Sequence, residues 1–153
     1  MDASMINPFI NATLNVLETM AFLKSVPGTP YLKKDDVAIG DLTGIIGLTG
    51  ETNGTVAITF EEGSILKIVS NMFGEEMTEL NHEIADAVGE ITNMIAGQAR
   101  RDLELIGKVF EAAIPSVVSG RGHRITHYTD GPKIAIPFET NGGKFLIEVC
   151  LED

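Results

Sequence analysis

The sequence predicts an α+β fold in which long helices pack on an antiparallel sheet, and three observations carry that prediction. Two stretches repeat apolar residues at helical spacing. Between and after them lie short β-branched runs punctuated by glycines. The tetrapeptide Glu51-Thr52-Asn53-Gly54 recurs as Glu139-Thr140-Asn141-Gly142, each time after an apolar run and before an alternating strand. Each half therefore reads as one helix followed by antiparallel strands, an internal pseudo-two-fold duplication with a short helix between the halves. With 153 residues and neither linker nor low-complexity tract, residues 1–153 are expected to form one domain.

The first helix opens at "NPF", where Asn7 can cap and Pro8 suits a first helical position whose N–H has no helical partner. Ile6, Phe9, Ile10, Leu14, Leu17, Met20 and Ala21 follow at helical spacing, and "SVPGTP" is expected to stop the helix near Lys24. "GIIGLTG" and "GTVAITF", separated by "ETNG", form a hairpin within Val37–Phe60. "SILKIVSNMF" is a short helix, with Ser64 as its expected cap and Gly74 as its stop. The long helix runs from Asn81 to about Gly107. "FEAAIPSVV", "HRITHY", "KIAIPF" and "KFLIEVCLE" are read as strands, and those near the C-terminus offer edges that could pair between subunits.

Composition narrows the function. Twenty-two acidic against eleven basic residues give a net charge of -11, which opposes binding to nucleic acid or to an anionic membrane surface. No apolar run approaches the roughly 20 residues of a membrane span. The N-terminus lacks the basic-then-apolar pattern of a secretory signal, so the expected location is the cytoplasm. The single cysteine, Cys150, rules out an internal disulfide and lies in an alternating run as a buried structural thiol. His123 and His127 stand four apart in a β-branched, glycine-rich stretch, where that spacing spans roughly 13 Å and argues against a shared metal. "GRGHR", with Arg121, His123 and Arg124, reads equally as a solvated turn or as a contact for an acidic partner. "GLTGETNG" lacks the lysine and following helix of a phosphate-binding loop.

The long helix holds the strongest functional signal. With Asp86 at 0° on a helical wheel, Glu90 falls at about 40°, Asn93 at about -20° and Gly97 at about 20°. Ile84, Val88, Ile91 and Ile95 fall between about 140° and 200°, so the polar stripe faces away from the chain's own core. An ordinary wet face would supply Asp, Glu and Asn, but three details set this one apart. Asn is a mediocre interior residue of a helix, and Gly costs about 1 kcal/mol against Ala there. Gly97 also removes bulk one turn beyond Asn93, allowing another surface to approach. Finally, a carboxylate and a carboxamide one turn apart can grip a cation and orient a water. The amide is a poor acid, base or nucleophile and must act by positioning, which is most of what a protein adds to phosphoryl transfer to water.

"GEITNMIAGQAR" resembles the signature helix of the CheC/CheX/FliY family of chemotaxis phosphatases. Its motif is Asp or Ser, three residues, Glu, two residues, Asn, and a proline about 22 positions on. Asp86, Glu90, Asn93 and Pro115 match it, and the likeness extends over the whole chain in length, order of elements and duplication. No Glu-x-x-Asn occurs in residues 1–25, where the aligned register gives Asn11, Asn15 and Glu18; the single site is similar to the CheX branch rather than CheC.

The resemblance implies an enzyme that hydrolyses the aspartyl phosphate of the response regulator CheY, with Mg²⁺ held by the regulator and no metal or other cofactor bound by this chain. It implies Glu90 as a salt-bridge anchor for a CheY lysine and Asn93 as the group that orients the attacking water. Asp86 would assist docking, Gly97 would permit close approach, and the chain would form a homodimer. The competing expectation is a non-catalytic CheY-binding module of flagellar-switch type. The intact Glu90/Asn93 pair favours the enzyme.

Overall fold

The computed structural model describes residues 3–50, 52–127 and 131–152. Three helices and eight strands follow in the order α1 (Ala3–Ala21), β1 (Val26–Pro27), β2 (Tyr31–Lys33), β3 (Leu42–Gly50), β4 (Gly54–Phe60), α2 (Glu62–Phe73), α3 (His82–Leu105), β5 (Phe110–Ala112), β6 (Ser116–Ser119), β7 (Lys133–Thr140) and β8 (Gly143–Leu151). All the strand pairs are antiparallel, and together they form one sheet whose main path is β1-β7-β8-β4-β3-β5, with β2 also on β7 and β6 also on β3. The fold is α+β, with a sheet packed against helices.

The duplication is visible in this pairing. The hairpins β3–β4 and β7–β8 meet through their second strands, β4 on β8. Each half lends its two short strands to the other half's hairpin: β1 and β2 flank β7, and β5 and β6 flank β3. The edges of the sheet are consequently these short strands and not the C-terminal ones, because β8 lies between β7 and β4 and the outer side of β7 is already occupied.

Alternation along the strands creates two buried layers. Val56, Ile58 and Phe60 of β4 and Phe145, Ile147 and Val149 of β8 point to the helix side, where they join Phe9, Leu17, Ile65, Ile68, Ile91 and Ile95 in the main core. Phe145 stacks on Phe138 with centroids 4.9 Å apart. The other face is covered too. Ala38 and Ile125 close a small cluster over Ile45 and Ala57, and the covering segments are pinned by Ala38 N–H to His123 O at 2.8 Å and Ile125 N–H to Asp36 O at 2.7 Å. That double burial is why "GIIGLTG" and "GTVAITF" read as near-continuous apolar runs.

Several local expectations are corrected. α1 begins at Ala3, four residues before Asn7, and carries Pro8 inside it; Pro8 is buried with Phe9, so core packing holds a turn that propensity would not extend. The helix ends at Ala21, short of Lys24, with Phe22 at φ 51 and Leu23 N–H reaching Leu17 O at 3.2 Å. "SVPGTP", read as a breaker, contributes β1, and the unassigned "YLKK" after it contributes β2. They are separate strands because Pro137 has no N–H to give on that edge while its carbonyl accepts from Gly28 at 2.7 Å.

α2 starts at Glu62, not at Ser64. Asp41 Oδ2 accepts from Glu62 N–H at 2.8 Å, whereas buried Ser64 donates to Glu61 O and Lys144 O. Gly74 does end α2, at φ 70. "FEAAIPSVV" is two strands broken around Pro115. "HRITHY" is not a strand: residues 123–127 make a single bridge, Arg124 to Val37, and residue 128 lies outside the described residues. The first "ETNG" begins with a residue that also lies outside them, so only its later part can be compared. In the second, Thr140 closes the β7–β8 turn by donating to Gly143 O at 2.9 Å.

Candidate functional site

α3 is positioned by chemistry at its start and shape along its length. Asn81 caps it, accepting from Ile84 N–H at 3.2 Å. Ile84, Val88, Ile91 and Ile95 are fully buried on one side. On the same side Thr92 donates to Val88 O at 2.7 Å and faces Gly44 of β3 so closely that a Cβ there would lie 2.0 Å from its hydroxyl. Gly44 thus sets how near the helix lies to the sheet. β6 supports the flank, with Val117 Cγ2 3.6 Å from where a Cβ on Gly89 would stand.

The opposite side of α3 carries the stripe. Asp86, Glu90 and Asn93 are exposed and Gly97 is half-buried. Asp86 pairs with His82 Nε2 at 3.6 Å, both side chains in solvent, whereas Glu90 and Asn93 make no side-chain hydrogen bond or ion pair among the described residues. A Cβ on Gly97 would meet only Arg101 Nη1, at 3.8 Å. No neighbour in the fold demands a glycine there, so its smallness serves the outer surface.

α1 lies alongside, tied by Asn15 Nδ2 donating to Gln98 Oε1 at 2.6 Å. Between the two helices runs an open groove of about 520 Å³ that takes in Asn15, Thr19, Asn93, Gly97, Arg100 and Arg101. Ala112 lines the same groove and Val117 sits under Gly89, so the connection bearing Pro115 passes beside the turn of Glu90 and Asn93. The larger concavity, about 870 Å³ between α2 and Phe22, lies away from this stripe.

α1 carries no second copy of the stripe. Thr13 donates to Phe9 O at 2.7 Å as Thr92 does to Val88 O, and both threonines are fully buried. Matching these two threonines puts Asn11 where α3 has Glu90 and Leu14 where it has Asn93, which corrects by one turn the register that set Asn11, Asn15 and Glu18 against the motif.

The remaining candidates fall elsewhere. His123 bonds Thr43 at 2.6 Å and the Gly120 carbonyl, while His127 faces Glu148 at 3.2 Å, so the two histidines serve different partners on the far face of the sheet. Arg121 pairs with Asp41 at 3.8 Å. Cys150 is buried, its thiol 3.6 Å from Gly131 O. Among the described residues no three His, Cys, Asp or Glu side chains gather as metal ligands, and no helix is long and apolar enough to cross a membrane. The groove itself, and Arg100 and Arg101 within it, escaped the sequence reading. Their signal was available: they are the only Lys or Arg on α1 and α3.

An outward carboxylate and carboxamide, one turn apart on a long helix above a duplicated antiparallel sheet, are the arrangement expected from the resemblance to the chemotaxis-phosphatase class. Comparison with known proteins resolves the class further. The family model for the chemotaxis phosphatase CheX matches residues 42–139. The CheY-P phosphatase CheX of Thermotoga maritima is 31% identical over 129 residues, 84% of this chain and 83% of that protein. The crystal structure of chemotaxis protein CheX from Vibrio vulnificus superposes with a TM-score of 0.92 at 48% identity, covering 98% of this chain and 100% of that one. CheX from Borrelia burgdorferi, solved as a CheX–CheY–BeF₃–Mg²⁺ complex, matches with a TM-score of 0.82 at 25% identity over 97% of each chain. The chain belongs to the CheX family.

Proposed function

We propose that this protein is a phosphatase of the phosphorylated response regulator CheY, working in the cytoplasm as a homodimer, with Asn93 orienting the attacking water. The observation that carries the reading is the pair Glu90 and Asn93, exposed on the outward side of α3 and unengaged by the rest of the described chain. It is supported by a relative named as a CheY-P phosphatase and by a relative bound to CheY with BeF₃ and Mg²⁺. Bonded to a carboxylate oxygen, BeF₃ is tetrahedral in the manner of a phosphoryl group.

On this reading Glu90 pairs with a lysine beside the regulator's phosphoryl group and fixes α3 over the pocket. Asn93 then enters, accepting from or donating to a water held in line with the scissile bond. The water oxygen attacks phosphorus, the P–O bond to the aspartyl carboxylate breaks, and the products are inorganic phosphate, which keeps the water's protons, and the regulator's free carboxylate. The regulator's Mg²⁺ neutralises charge on the phosphoryl oxygens, and this chain binds no metal. Asp86 docks at the edge of the contact, and Gly97 lets the partner's backbone come close.

The test is the lifetime of phosphorylated CheY with substoichiometric protein, wild type and Asn93→Ala side by side. Wild type should shorten it catalytically, and the variant should not. Equal acceleration by both would remove Asn93 from the chemistry, and binding without acceleration would leave a non-catalytic module.

A further inference from the structure

Arg100 and Arg101 lie one turn beyond Gly97 and share the groove with Asn93. They are the only Lys or Arg on the two helices that form it, in a chain of net charge -11. Neither makes an ion pair or hydrogen bond among the described residues, although acidic residues outnumber basic ones two to one. The Nε of Arg100 is buried and has no hydrogen-bond partner there, and a buried donor left unmet destabilises the fold. Arg101 folds back along the helix, its Nη1 3.8 Å from where a Gly97 side chain would begin. Neither is serving the helix C-terminus, since the last turn of α3 holds no basic residue.

Solvent meets exposed Arg101, but the buried Nε of Arg100 calls for an acceptor from outside the chain, and the character of the partner says which kind. A protein that holds Mg²⁺ does so with carboxylate and other oxygen ligands, so the surface around its pocket is acidic. A docking chain of the same overall sign is repelled unless its contact face reverses the charge locally. We propose that Arg100 and Arg101 are that reversal: Arg101 pairs with a carboxylate bordering the Mg²⁺ pocket of the phosphorylated regulator, and Arg100 Nε donates to an oxygen of the same segment. The pair sets encounter rate and partner choice, while Asn93 sets the chemistry. The inference rests on the phosphatase reading above.

The experiment is steady-state dephosphorylation of CheY by wild type, Asn93→Ala, Arg101→Glu, Arg101→Lys and Arg100→Gln, at low and at physiological ionic strength, with thermal melts as a folding control. Arg101→Glu should raise KM by about tenfold at low salt with kcat unchanged, the gap narrowing as salt is added. Arg101→Lys should restore most of the loss, and Arg100→Gln, which removes one of the two charges together with the Nε donor, should raise KM and weaken the salt response less than Arg101→Glu does. If wild type is active and Asn93→Ala is not, yet Arg101→Glu keeps KM and salt dependence within twofold of wild type, the proposal falls and the phosphatase reading stands. If wild type is inert, the phosphatase reading falls and takes the proposal with it.

Discussion

On the face of the sheet away from the helices, Lys33 and Glu148 are buried 3.5 Å apart and His127 closes on the same carboxylate at 3.2 Å. Lys33 Nζ also donates to Asp35 O and Val37 O, tying the covering segment to the sheet. On the helix side, Glu90 and Asn93 stand in solvent with no partner among the described residues. Both regions place charged and amide groups on regular elements. One spends them inside the fold, and the other keeps them for a second molecule. Lys33, His127 and Glu148 are marked as structural by burial and by their contacts with one another, and Glu90 and Asn93 are marked as outward-acting by exposure without a partner.

That contrast can be broken from either side. Lys33→Met keeps the stem but strands a buried carboxylate, and should cost about 3–5 kcal/mol in urea unfolding while the folded fraction keeps wild-type kcat. Asn93→Ala should do the reverse, losing about a hundredfold in dephosphorylation rate, about 2.7 kcal/mol of barrier, with an unchanged melting curve. Gly44→Ala forces the Thr92 hydroxyl and α3 away from β3, and should destabilise by about 1–3 kcal/mol through overpacking; activity measured on the folded protein reports how far the helix shifts. Gly97→Ala meets only the Arg101 guanidinium, at ordinary contact distance, so the helix should gain up to about 1 kcal/mol while KM for the regulator rises. A Gly97→Ala variant that lost stability would show that the glycine answers to the fold and not to the docking surface.

The site helix was legible because its signal is periodic and local. Ile84, Val88, Ile91 and Ile95 define the inner side by spacing alone, and Gly74 and the β3–β4 hairpin follow from stop and turn chemistry. The α1 boundary was not legible: Pro8 looks like a first-turn residue, and only its burial beside Phe9 explains a helix that continues upstream. Ser64 has the chemistry of a cap, but Asp41, 21 positions earlier in the chain, reaches the helix start first. β1 and β2 are too short to show alternation, and they exist as strands because β7 offers a free edge.

What the sequence determined by itself was the class of fold, the duplication and the direction of the Asp86, Glu90, Asn93, Gly97 stripe, because each depends on the short-range periods of helix and strand. Tertiary structure decided the rest. Long-range pairing made the short strands cross between the halves, burial turned Lys33, His127 and Glu148 into internal supports, and the packing of α1 on α3 made a groove in which Asn93 and the two arginines meet. Those outcomes depend on contacts between residues far apart in the chain, which no local period records.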